Sequence, residues 1–219
     1  MKKAAIFDPY LNTLGGGEKY VLTIAETLLE NNWQVDIFTE FNQSVLDKAS
    51  ARFNLSLENL KIKPDIFNSK TSLINKYKIT SKYDLFFYLN DGSVPLLFSK
   101  KNILHVQVPF NTNPSIFHKA INLIKFIPIN KIIVNSKFTA DRVKQIYLKP
   151  STILYPPIDT TNFTPATNKQ NIILSVGRFD NILNAKKQDI LVKAFKDIVK
   201  LNHLKNWQFV LIGGSLEKE

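Results

Sequence analysis

The chain has 219 residues, 44 % of them hydrophobic, no cysteine and a formal net charge of +11. The apolar content excludes a disordered chain, and the missing thiols exclude disulfides, iron–sulfur clusters and thiolate zinc while fitting a reducing compartment. The charge is uneven, with five basic against eight acidic side chains in residues 1–60 and nine basic against the single Asp141 in residues 100–149; lysine dominates and no nucleic-acid motif accompanies it, which argues against nucleic acid as a partner.

The start, Met1-Lys2-Lys3, is basic, but the apolar run after it stops at Asp8-Pro9, too short for a signal peptide or a membrane span. The apolar window 121–134 is broken by Lys125, Pro128 and Lys131, so a soluble, cytoplasmic protein is expected. Ala4 to Phe7 predicts a buried strand, and Tyr20 to Leu29 a helix with Val21, Ile24, Ala25, Leu28 and Leu29 on one stripe. Between them lies Leu14-Gly15-Gly16-Gly17-Glu18-Lys19. A glycine turn from a strand's carboxyl end into a helix aims backbone N–H groups at any anion placed there, and the missing Cβ atoms let a phosphate approach. The alternative is a tight turn that binds nothing.

Trp33 to Thr39 predicts the second strand, and strand, turn, helix and strand within about forty residues make a βαβ unit of a parallel sheet. The dinucleotide fingerprint fails, because Gly15-x-Gly17-x-x-Tyr20 lacks a third glycine and Glu40 falls late for a ribose-binding acid. Ser44 to Arg52 predicts a short helix and Leu60 to Ile66 a strand, within a lysine-rich stretch up to residue 82. Tyr83 to Leu89 is a near-continuous apolar run, expected to be buried on both faces, and ends in Asn90-Asp91-Gly92-Ser93, a turn where open α/β sheets place ligands. Ile103 to Pro109 predicts a strand around His105, and a lone histidine among apolar neighbours is more often a core residue than a functional one. Ser115 to Ile127 predicts a basic amphipathic helix, core-facing or lying on a membrane. Lys131 to Val134 predicts a strand entering Asn135-Ser136, where Ser136 caps the helix Thr139 to Tyr147 or holds an anion. After a strand at Ser151 to Tyr155, Pro156-Pro157-Ile158-Asp159 opens a linker, with a boundary near residue 160. The pattern restarts in 161–219 with strand Asn171 to Arg178, helix Lys187 to Leu201 and strand Trp207 to Ile212. One βαβ unit cannot close a core.

The order of landmarks resembles glycosyltransferase family 4, whose members have two Rossmann-like domains (the GT-B fold). The matching residues are Gly15-Gly16-Gly17-Glu18, His105, Val134-Asn135-Ser136, Tyr155-Pro156-Pro157-Ile158-Asp159, Ser175-Val176-Gly177-Arg178, Lys186-Lys187-Gln188-Asp189 and Leu211-Ile212-Gly213-Gly214. The glycine and YPPID forms are also similar to mannosyltransferases of lipid-linked oligosaccharide synthesis. The resemblance implies an α/β chain with a Rossmann-like parallel-sheet domain at 1–160 and an incomplete second one at 161–219. It implies retaining hexosyl transfer, without metal or cofactor, from a GDP- or UDP-sugar donor to a saccharide or lipid-linked acceptor. Arg178 and Lys186 would stabilise the leaving diphosphate. Gly15, Gly16, Gly17 and Ser136 would bind phosphate or acceptor, and His105 would touch the transferred sugar. The family's paired glutamates lie further downstream than Glu217 and Glu219, so the nucleotide pocket is incomplete here. The resemblance thus leads us to expect a fragment or one subunit of a split transferase, silent alone and self-associating through 171–214. The basic segment would make peripheral contact with an anionic membrane. The rival classes are a non-catalytic Rossmann-like scaffolding module and a nicotinamide-dependent oxidoreductase.

Overall fold

Alternation along the first strand decides the layers. In β1 (Lys3–Phe7), Ala4 and Ile6 point to one side, Ala5 and Phe7 to the other, and all four are buried. Such a strand belongs inside a parallel sheet covered on both faces. In the computed structural model β1 pairs in parallel with β2 (Gln34–Thr39) on one side and β4 (Leu85–Leu89) on the other. Adding β3 (Lys61–Pro64), β5 (Lys101–Val106), β6 (Lys131–Val134) and β7 (Thr152–Ile153) gives seven strands in the order β3-β2-β1-β4-β5-β6-β7. Every neighbouring pair is parallel, the Rossmann-like α/β sheet that the sequence predicts. The structure describes residues 1–109, 124–161, 163–177, 179, 186–200 and 206–214.

Two helices, α1 (Gly16–Glu30) and α2 (Gln43–Phe53), cover the face of Ala4, Ile6, Ile37 and Phe87 with Val21, Leu22, Ala25, Leu46 and Ala49. On the opposite face, α4 (Lys137–Tyr147) brings Val143 and α3 (Leu73–Thr80) brings Ile79 to a core rich in aromatic rings. There Phe86 meets Phe38 at 5.7 Å and Phe67 at 5.5 Å between ring centroids. Phe7 stacks on Tyr88 at 4.6 Å.

Three expectations change. The first helix starts at Gly16 and not at Tyr20, so Gly16 and Gly17 form its opening turn and are not a loop. What turns the chain is a 3-10 turn at Leu11–Thr13 followed by Leu14 in the left-handed region (φ 45°). Helix α3 has no counterpart in the sequence reading, and the last strand shrinks from Ser151–Tyr155 to the exposed pair Thr152–Ile153. Of the amphipathic helix expected at 115–127, residues 115–123 lie outside the described ones; residues 124–126 are helical.

The chain divides into two compact units, Met1–Ile158 and Asp159–Glu219. In the second, β8 (Ile172–Val176) pairs in parallel with β9 (Gln208–Ile212), and α5 (Gln188–Lys200) packs Phe195 against Phe209 at 5.4 Å. No residue of α5 is fully buried.

Candidate functional site

Strand order reverses at β1, where β2 and β3 lie to one side and β4 to β7 to the other. Open α/β sheets hold ligands at such a switch point, beyond the carboxyl ends of the strands. There Asp8 follows β1, the opening turn of α1 lies close by, and Asn90–Ser93, Gln107 and Asn135-Ser136 follow β4, β5 and β6.

The glycine turn comes with its own anion. Glu18, 6 % exposed, folds its carboxylate back so that Oε2 accepts the Gly15 N–H at 2.7 Å and the Thr13 hydroxyl at 2.5 Å. This is the half of a capping box open to a glycine cap. The first intrahelical donor is the Lys19 N–H, bonded to the Gly15 carbonyl at 3.1 Å, so the N–H groups of Gly16, Gly17 and Glu18 have no intrahelical acceptor. Each glycine answers to a different neighbour. A Cβ on Gly15 would sit 3.1 Å from Glu18 Oε2, one on Gly17 would collide with Gln107 Oε1, and one on Gly16 would meet nothing within 4 Å.

Gln107, unremarked in the sequence, holds the site together. Its amide donates to the Gly17 carbonyl at 3.1 Å, and its own backbone carbonyl accepts from Asn135 Nδ2 at 3.0 Å. Asn135 Oδ1 accepts the Thr139 hydroxyl at 2.8 Å, and Ser136 Oγ caps α4 by accepting the Thr139 N–H at 3.1 Å. Of the two readings open for Ser136, the structure displays the cap. Gly17 and Ser136 therefore belong to one network, reached through Gln107 and Asn135.

Asp8 was legible only as the end of an apolar run. It is fully buried; Oδ1 accepts the Tyr10 N–H at 2.8 Å and Oδ2 has no partner. Burial pushes its carboxyl up to about 7, the Tyr10 N–H pulls it down, and the Glu18 charge pushes it up again. Tyr10 in turn is raised by burial and by the charges of Asp91 and Asp8. The switch point thus places two buried carboxyl groups, Asp8 and Glu18, beside helix N–H groups that have no intrahelical acceptor.

His105 lies on the α1 side of β5 and is 0 % exposed. Its ring stacks on Tyr20 at 4.6 Å and 6°, with Phe87 at 5.2 Å. The Tyr20 hydroxyl is fastened to the Leu154 carbonyl at 2.8 Å. Neither imidazole nitrogen has a hydrogen-bond partner, and burial pulls the ring's pKa down to about 4. The ring is thus buried against Tyr20 and Phe87 with both nitrogens unpartnered, whereas a buried core histidine ordinarily finds a hydrogen-bond partner. Because the folded pKa lies below the unfolded one, the stability His105 allows is complete above about pH 6.5 and is lost as pH falls through about 4. His105→Phe should therefore raise the stability at pH 4 relative to that at pH 7 by about 2–3 kcal/mol compared with wild type in urea titrations, the Asp8 contribution being common to both proteins. An unchanged pH slope would contradict this placement.

Arg178 lies outside the described residues, as do Glu217 and Glu219. Lys186 is exposed, and its side chain covers Gly177, where a Cβ would come within 2.9 Å of Lys186 Cγ. The lysine thus lies beside the residue that precedes Arg178. Among the described residues no group of three His, Asp or Glu side chains is arranged to hold a metal ion, and no helix is long and apolar enough to cross a membrane.

No family model matches the chain, and no curated protein does. Among solved structures it is similar to a glycosyltransferase from Rickettsia africae ESF-5, with a TM-score of 0.61 and 12 % identity over 97 % of this chain and 68 % of that one. This likeness shows a glycosyltransferase fold, consistent with the GT-B type. Gre2 from Candida albicans, solved with NADPH, aligns over 98 % of this chain and 58 % of its own at 15 % identity, but its TM-score of 0.31 carries no argument.

Proposed function

We propose that the chain belongs to a retaining glycosyltransferase of family 4 type that moves a hexose from a GDP- or UDP-sugar to a saccharide or lipid-linked acceptor. The observation that carries this reading is the fold likeness to the Rickettsia glycosyltransferase, together with the glycine turn and Asn135-Ser136 following strands β1 and β6 of the parallel sheet. Unit Met1–Ile158 is the acceptor side. A buried carboxylate beside unpaired N–H groups suits a sugar hydroxyl, which both donates and accepts, better than a second anion. The glycine turn is therefore assigned to the acceptor and the diphosphate to Arg178 and Lys186 in the second unit. No metal takes part in this scheme. The basic segment 100–149 docks the protein on the anionic cytoplasmic face of a membrane.

Two cations near water contribute about 1–3 kcal/mol, far below the roughly 7 kcal/mol of a ten-micromolar complex. The 219-residue chain should accordingly bind UDP or GDP only weakly and transfer nothing by itself. NMR titration with UDP, GDP and NAD decides the matter. Shifts with a uridine or guanosine diphosphate that disappear in Arg178→Ala are expected; binding of NAD alone would turn the assignment to an oxidoreductase.

A further inference from the structure

A cavity of about 450 Å³ lies on the other face of the sheet from α1, beside β2 and β3, and the transfer scheme makes no use of it. Alternation in β2 puts Asp36 on the same side as Phe38, over the aromatic core. The residue is 6 % exposed; Oδ2 accepts the Tyr83 hydroxyl at 2.6 Å, and Oδ1 is buried with no partner. A buried acceptor left unpaired is unfavourable and uncommon, and here it belongs to a side chain that lines a cavity.

The remaining walls divide by chemistry. Phe38, Ile66, Ile79 and Tyr83 supply apolar surface, whereas Lys3, Lys63 and Lys82 supply cations. Lys3 and Lys82 are exposed and Lys63 is half-buried; among the described residues none of the three ammonium groups has a carboxylate within 4.0 Å. The volume falls in the range of small-molecule sites, about 300–1,000 Å³. A single free carboxylate oxygen asks for one N–H or O–H donor, and it repels a second anion placed deep in the cavity. Three unpaired lysines ask for an anion at the mouth.

We propose that this cavity binds a small phosphate ester whose apolar body carries one N–H or O–H donor. The donor meets Asp36 Oδ1, the body packs on Phe38 and Ile79, and the phosphate meets Lys63 with Lys3 and Lys82. Nucleotides and lysophospholipids share this chemistry, so AMP and a short-chain lysophosphatidic acid, kept below its micelle concentration, serve as the two probes.

Calorimetric titration of the 219-residue chain is the test. One probe should bind with a Kd at or below about 1 mM, and inorganic phosphate at least about 10-fold more weakly. Lys63→Ala should weaken that probe about 5-fold and Asp36→Asn about 10-fold, while Arg178→Ala leaves it unchanged. Which probe binds tells nucleotide from lipid. If Asp36→Asn does not fold, Lys63→Ala and the phosphate comparison decide. Binding of neither probe, equal binding by wild type and both variants, or loss in Arg178→Ala would overturn the proposal. None of these readouts depends on glycosyl transfer.

Discussion

Asp8→Asn is expected to make the protein more stable at pH 8 by about 2–4 kcal/mol. The buried carboxyl titrates at about 7 in the folded state, against 3.8 for an aspartate free in water, so the folded state holds its proton more tightly. The penalty is absent below about pH 4, grows as pH rises through 7 and is constant above. With no relaxation it would reach about 4 kcal/mol. Asparagine keeps the acceptor for the Tyr10 N–H and puts a neutral amide where Oδ2 had no partner, near the Glu18 charge. Urea unfolding of both proteins at pH 4 and pH 8 checks this. The gain should appear only at the higher pH, and because His105 titrates in both proteins its effect cancels in the difference. A gain of equal size at both pH values would mean that packing, not charge, sets the cost.

Phe86→Ala is expected to cost about 3–5 kcal/mol, a large share of the 5–15 kcal/mol typical of a folded domain. Phe86 is fully buried on β4 and its ring touches Phe38, Phe67 and Tyr83, so its removal leaves a hole that the rigid parallel sheet cannot close. A lowered urea midpoint with the same slope is the expected result. A loss below about 1 kcal/mol would mean that the aromatic face repacks freely.

The central strands of the sheet could be read directly because their middles are short apolar runs, and Tyr83 to Leu89 illustrates why: burial on both faces removes any alternation, whereas the edge strands Lys61–Pro64 and Thr152–Ile153 carry little such signal. What could not be read was every feature created by one residue folding onto another. Asp8 looks like the end of a strand, and only the 3-10 turn that follows and brings Tyr10 N–H back to it makes it a buried carboxylate. Gly16 and Gly17 read as a turn ahead of the helix, yet Glu18, three residues after Gly15, is a capping signature that places the helix start at Gly16. Helix α3 escaped because Asn75, Lys76 and Lys78 interrupt its apolar residues, and Leu73, Ile74 and Tyr77 indeed remain exposed. For His105 the residue pattern alone pointed to the core and the family resemblance to the ligand; its stacking on Tyr20, eighty-five residues earlier, could be read from neither. Gln107 carried no signal at all, since its role depends on the missing Cβ of Gly17, ninety residues earlier.

The strand order has a consequence for biosynthesis. The strand at the switch point, β1, is the first to be made, and its β4 edge finds a partner only when Leu85 to Leu89 have been added. At about 5–20 residues per second, the roughly eighty residues between them take about 4–16 s, long compared with the microseconds of chain collapse. During that interval the Ala4–Phe7 edge has β2 alone beside it and presents unpaired N–H and C=O groups to any other nascent chain. The sheet thus grows outward from β1 in the order of synthesis, first toward β3 and then, from the other edge of β1, toward β7. What waits for Leu85 to Leu89 is the second edge of β1, and that edge is where a ribosome-associated chaperone would act.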